Sequence, residues 1–214
     1  MKERKYIDKL TLPYVNLLNS IMNRVNKFYK NNDEAHQIDH ALDVLEEVLY
    51  INKKIEHTDN IGVLIVAAMY HDIFANKKDR AKHHVLASEY VLTDSYISTV
   101  LSTKDILKVS VMIGEHRASF KGERSNMLSE MLSVADLGRP DLKSMLLRSI
   151  NYHKGNDNVY EEVIKHHKEK FGYGGYVNYP KLYKEIYGDQ LTELKDDIEK
   201  LVSGELKIGD ILRE

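Results

Sequence analysis

The chain has 214 residues, with 31 Lys+Arg against 33 Asp+Glu, 43% hydrophobic residues, 10 His, no Cys and no Trp. That length suits one domain or one domain with an appendage, and an apolar share this high with only 3 Pro and 11 Gly excludes a disordered or collagen-like chain. Without Cys there is no disulfide scaffold, thiolate metal site or Cys nucleophile, so any chemistry falls to oxygen and nitrogen groups, and a formal net charge of −2 argues against general nucleic-acid binding.

The first 30 residues carry seven Lys/Arg against two acids, and residues 189–214 carry eight acids against four Lys/Arg; both read as solvated helix faces. MKERKYIDKL is not followed by the apolar stretch of a secretory signal, and the apolar run Gly62 to Tyr70 is nine residues long, whereas a span needs about 20. The expectation is a cytoplasmic protein with no membrane partner. Helical spacing recurs along the chain and strand alternation is nearly missing, so the fold class is all-α. Val15, Leu18, Met22 and Val25 form a stripe behind Pro13, which suits a first helical turn. Ile38, Leu42, Leu45 and Leu49 form a second stripe. Residues 61–74 are apolar on nearly every side until they reach His71-Asp72, the pattern of a helix buried in the middle of the protein. Further helices are expected at about 81–93, 104–117, 125–137, 140–151, 156–169 and 189–203. FGYGGYVNYP, residues 171–180, reads as a lid, a base-stacking loop or a plain connection. There is no internal repeat, and no GxxxxGK[ST], GxGxxG or GxSxG motif supports a P-loop, Rossmann or serine-hydrolase reading.

With 10 His and 16 Asp in 214 residues, chance supplies about 0.75 adjacent His-Asp pairs, so a doublet alone is no signal. Its setting is the signal. A carboxylate on a fully apolar helix is strongly disfavoured unless it is paired or binds a metal, so Asp72 needs a partner. Asp136 shares a helical face with Leu128 and Leu132, and His116 follows Ile106, Val109 and Ile113 at helical spacings. Two carboxylates and two imidazoles in phase with apolar stripes, in a chain without Cys, make a plausible hard-to-borderline metal site. His40 lies opposite the Ile38/Leu42/Leu45/Leu49 stripe if that helix is regular. It is either exposed or in the first turn, with Asp39 as N-cap and Val44 and Ile51 nearby.

His40 in IDHALDV, His71 and Asp72 in AAMYHDIF, and Asp136 in SVADLGRPD together resemble the HD-domain metal-dependent phosphohydrolases over about residues 33–152. The resemblance implies an HD-type helical bundle over residues 1–152, including the N-terminal helix, with residues 153–214 as a helical accessory region packed on it. It implies His40, His71, Asp72 and Asp136 as ligands of a divalent metal (Mn, Fe, Mg, Ni or Co; one ion, with two an option). It also implies a hydrolase in which metal-activated water attacks phosphorus. The substrate would be a small phosphate compound, most similar to those of small bacterial nucleoside triphosphate pyrophosphohydrolases or nucleotidases. Asp72 would orient the water, and His84 in HHVLASEYV and His116 in GEHRAS would be second-metal ligands or would assist the leaving group. Lys77, Lys78 and Arg80 in the loop after the doublet, with Arg117 and Arg139, are the expected phosphate contacts. The alternatives are a two-metal phosphodiesterase and a nonhydrolytic nucleotide-binding module. Nothing in the sequence fixes an oligomeric state.

Overall fold

The computed structural model describes residues 4–33, 36–57, 60–76, 78–153 and 155–213. Regular structure among them is entirely helical, in keeping with the all-α expectation: a 3-10 turn at Ile7–Lys9 precedes eleven α-helices. These are α1 (Leu12–Tyr29), α2 (Ile38–Lys54), α3 (Ile61–Tyr70), α4 (His83–Thr93), α5 (Ile97–Val100), α6 (Thr103–Glu115), α7 (Met127–Leu137), α8 (Leu142–Tyr152), α9 (Val159–Phe171), α10 (Lys181–Ser203) and α11 (Ile208–Ile211). Among the described residues no helix is long and apolar enough to cross a membrane. The chain divides into two compact units, Met1–Gly138 and Arg139–Glu214.

In the first unit α3 is the axis, and α1, α2, α6 and α7 pack against it. Every residue from Gly62 to Tyr70 is buried, and full burial of a side chain such as Leu64, Ile65 or Met69 contributes about 1.5–3 kcal/mol. The Asn60 side chain caps α3 by accepting from the Gly62 amide at 2.9 Å. The helix ends sooner than its apolar run suggests: His71 is its C-cap and Asp72 lies in the turn beyond, so the doublet closes the helix instead of riding on it. α6 and α7 are each opened by a side-chain cap, Ser102 onto the Asp105 amide and Asn126 onto the Ser129 amide. Gly138, at φ +72°, stops α7 directly after the turn that carries Asp136. In α2 the N-cap is Gln37, not Asp39, which sits exposed in the first turn and pairs with Arg4.

In the second unit Leu146 of α8 is buried with Val163, Leu201 and Ile208, which is why α8 groups with α9–α11. α10 begins directly after Pro180, ahead of the expected start at 189, and bends at Tyr187, whose φ of −129° is non-helical. The 171–180 segment is a packed connection. A Cβ on Gly172 or Gly175 would come within 2.8 Å of the Lys168 carbonyl or 2.6 Å of the Lys170 carbonyl, so both glycines are needed for the close approach. Lys195 lies over the Tyr173 and Tyr179 rings, and the Tyr173 hydroxyl donates to Asp196.

Candidate metal centre

Five helix ends of the first unit deliver six polar side chains to one place. His40 stands in the first turn of α2, one turn before Val44 on the buried face that continues through Val48 and Ile51. The true inward face of α2 therefore includes Ala41 and Val44, and the stripe drawn through Ile38 and Leu42 is offset from it. His71 and Asp72 close α3, His83 opens α4, His116 is the C-cap of α6, and Asp136 lies in the last turn of α7. His71, Asp72 and His116 are at most 2% exposed and His83 7%, while the His40 and Asp136 side chains keep a narrow opening at 13% and 21%.

The six fall into two groups that share Asp72. His40, His71, Asp72 and Asp136 present donor atoms within 4.8 Å of one another, as do Asp72, His83 and His116, and each group could hold a metal ion. Asp72 faces both with different oxygens. Its Oδ2 is 3.4 Å from His71 Nε2 and 3.7 Å from His40 Nε2, while its Oδ1 is 3.1 Å from His83 Nε2 and 3.6 Å from His116 Nε2. Asp136 Oδ1 completes the first group, at 3.1 Å from His40 Nε2 and 3.6 Å from His71 Nε2. The Nε2 atoms of His83 and His116 are 3.2 Å apart.

Three of the imidazoles are anchored alike. Nδ1 of His71, His83 and His116 is 2.7 Å from the carbonyl three residues earlier, that of Ala68, Arg80 and Ile113 respectively. A carbonyl only accepts, so each Nδ1 donates its N–H, and in the neutral ring the inward Nε2 is the nitrogen that would offer a lone pair to a metal ion. The buried Nε2 of His71 has no hydrogen-bond partner among the described residues. The donor set of carboxylate oxygens and imidazole nitrogens, with that orphaned nitrogen among them, fits a borderline divalent cation.

Charge follows the same geometry. Burial works against ionising His71, but the Asp72 and Asp136 carboxylates overcome it and hold the imidazole well above its ordinary value. Burial likewise opposes ionisation of Asp72 and Asp136; their histidine neighbours prevail and hold both carboxyls well below the usual range. At His116 burial dominates and the pKa is lowered despite Asp72.

The remaining expected site residues are placed as follows. His84 is outside both ligand groups. Burial, reinforced by His116, His83 and Arg117, pushes its pKa to about 4, so near pH 7 it is a neutral imidazole and not an imidazolium acid. Arg117 is half-buried and donates to the Ala81 carbonyl at 2.9 Å. Arg80 pairs through Nη1 with Asp33. Lys78 is exposed and lines an open pocket of about 420 Å³ with Asn31, Asn32, Asp33 and Asn76. Lys77 lies outside the described residues, and Arg139 is an exposed residue at the start of the second unit. His83 was not foreseen, although the sequence holds a signal for it: His83, Ala87 and Val91 share the buried face of α4, whereas His84 is in line with the half-exposed Ser88.

No protein-family model, curated protein or solved structure matches this chain.

Proposed function

We propose that the chain is a divalent-metal-dependent phosphohydrolase of the HD-domain type, acting on a small phosphate compound, a nucleotide in the first instance. The observation that carries this reading is the Asp72 carboxylate, only 2% exposed and turned by both oxygens onto the Nε2 atoms of imidazoles whose Nδ1 atoms are held by backbone carbonyls. His40, His71, Asp72 and Asp136 would hold the cation. When bound, it supplies Lewis acidity, making water acidic enough to furnish hydroxide near neutral pH and withdrawing charge from the phosphoryl group. The helix ends keep the ligands rigid, and the partly open His40/Asp136 side admits substrate. The neutral His84 hydrogen-bonds the leaving group, and Arg117, whose charge is felt at His84, steadies a phosphate oxygen.

The Asp72/His83/His116 group favours a second reading, a phosphodiesterase in which these residues would hold a second ion. Elemental analysis separates the two, with one equivalent of metal per chain for the first and two for the second. In the second case His116→Ala reduces two equivalents to one.

The deciding experiment supplies Mn2+ and a nucleotide panel and measures phosphate against pyrophosphate release. Asp72→Ala abolishes turnover and metal content together. Full activity in a variant with no bound metal would sink the proposal, and ligand-dependent thermal shifts without turnover at any metal would leave a nonhydrolytic nucleotide-binding module.

A further inference from the structure

Among the described residues the segment joining α1 to α2 adds no member to the two groups before His40, yet it touches the backbone of Asp72 and the side chain of Arg80. Asn32 is 9% exposed, and its Nδ2 donates to the carbonyl of Asp72 at 2.7 Å and to the carbonyl of His36 at 3.0 Å. The neighbouring Asp33 binds the His36 ring at 2.6 Å and the Arg80 guanidinium. The Arg80 carbonyl is the group that anchors His83 Nδ1. Gln37 closes the turn by donating to the carbonyls of Asn32 and Asp33 at 2.7 and 3.0 Å. One turn earlier, the buried Tyr29 hydroxyl donates to the Met69 carbonyl at 3.1 Å.

Asp72 lies just past the end of α3, where its carbonyl has no intrahelical partner and accepts two bonds instead, one from the Ala75 amide within the turn at 3.0 Å and one from Asn32 across the chain. Its carboxylate must face two groups at once, across contacts of 3.1–3.7 Å on opposite oxygens. Only two side-chain torsions separate that carboxylate from its peptide, so a small rotation of the peptide carries both oxygens off their targets. Ligand distances tolerate about 0.2 Å.

We infer that Asn32 is a positioning residue: its amide fixes the peptide that carries Asp72 and, with Asp33, ties that peptide to the segments leading to His40 and to His83. The inference rests on the metal-centre reading above. The residue type follows from the geometry, because one planar amide group offers two N–H donors to two carbonyls from different segments. A serine hydroxyl offers one donor, and an aspartate in the same volume offers none and sets an anion against two carbonyl oxygens.

The test titrates the full-length chain with Co2+, following the visible absorption of the bound ion and the heat of binding. Asn32→Ala and the near-isosteric Asn32→Asp are expected to bind Co2+ roughly 10–100-fold more weakly, the usual cost of losing a group that hydrogen-bonds to a metal ligand, with a shifted absorption band. Asn32→Ser, which keeps one donor, is expected between them and the wild type and decides the matter if the other two do not fold. Asn60→Ala, which uncaps the opposite end of α3, serves as the control for general destabilisation and is expected to bind within twofold of wild type. Wild-type affinity and an unchanged band in the Asn32 variants overturn the inference, as does an equal loss in Asn60→Ala. A wild-type chain that binds no Co2+ overturns the metal-centre reading itself and this inference with it, a result visible before any variant is made.

Discussion

Asp94 and Asp72 are buried alike, with side-chain exposures of 2% and 3%, but their surroundings differ in kind. Asp94 receives the Arg24 guanidinium at 2.7 Å, the Tyr96 amide at 2.9 Å and the Tyr70 hydroxyl at 2.8 Å, so each oxygen is met by a permanent donor. Asp72 is met by the Nε2 atoms of imidazoles whose Nδ1 protons go to backbone carbonyls. The first arrangement buries an acid among permanent donors, and the second sets it among imidazoles that can exchange a proton for a metal ion. His167 of the second unit extends the contrast. Like His71 it is at most 1% exposed, donates Nδ1 to a carbonyl and has a buried Nε2 with no hydrogen-bond partner among the described residues. No carboxylate figures among the influences on it, and burial lowers its pKa where that of His71 is raised. An inward-facing imidazole is therefore not a candidate by itself; the facing carboxylates make His71 part of a group that could hold a metal ion.

The contrast is broken most directly by removing each aspartate. Asp72→Ala is expected to lower metal affinity by at least about 100-fold, beyond the usual cost of losing a group that only hydrogen-bonds to a ligand, whereas Asp94→Ala retains the wild-type stoichiometry in elemental analysis. Retention of metal by the Asp72 variant would erase the distinction.

Stability should respond next. In urea unfolding of the metal-free chain, Asp94→Ala is expected to lose about 3 kcal/mol, because it strands the Tyr70 hydroxyl and takes the carboxylate from Arg24. Burial opposes ionisation of Asp94, but the bonds from Tyr70, Tyr96 and Arg24 win and hold its carboxyl below the ordinary value. Its contribution is thus complete above the unfolded value of about 3.9 and is lost as the pH falls through the lower folded value. Asp94→Asn should flatten the acid limb of the stability curve; an unchanged limb would show that the donors do not favour the charged form.

The smallest effect belongs to the second unit. His167→Gln is expected to lose about 1 kcal/mol at pH 7 with its hydrogen bond to Val163, and to leave metal content untouched. The depressed folded pKa of His167 makes its native state reluctant to take a proton, so the wild type loses stability below the unfolded value of about 6.5. The gap between wild type and variant should close as the pH is taken from 7 to 5. A metal deficit in this variant would mean that carboxylates are not what separates the two histidines.

Much of this was legible in the sequence because it depends on local phase. The unbroken apolar stretch of α3 marks Asp72 as a buried charge in need of a partner, and the Leu128/Leu132 register places Asp136 inward. Adjacent histidines are harder. They point about 100° apart, so the choice between His83 and His84 turns on where α4 begins and which of its faces is buried. His40 was ambiguous for the same reason, since Ala41 and Val44, not Ile38 and Leu42, define the inward face of α2. The compensation of Asp94 was out of reach, because Arg24 and Tyr70 lie 70 and 24 residues away in the chain. The Asn32 contact to Asp72 spans 40 residues and joins an amide to a carbonyl, a pairing that leaves no trace in residue type at its far end.

The anchoring of the three imidazoles by Ala68, Arg80 and Ile113 has a consequence for how the site tolerates change. The acceptor in each case is a main-chain oxygen, which every amino acid carries. Replacing any of these three residues can alter packing or charge nearby, but it does not delete the hydrogen bond that sets the ring's tautomer. The Nδ1 hydrogen bonds are thereby insulated from point mutation at their supports, and drift in the surrounding sequence can proceed while the candidate ligands keep their orientation.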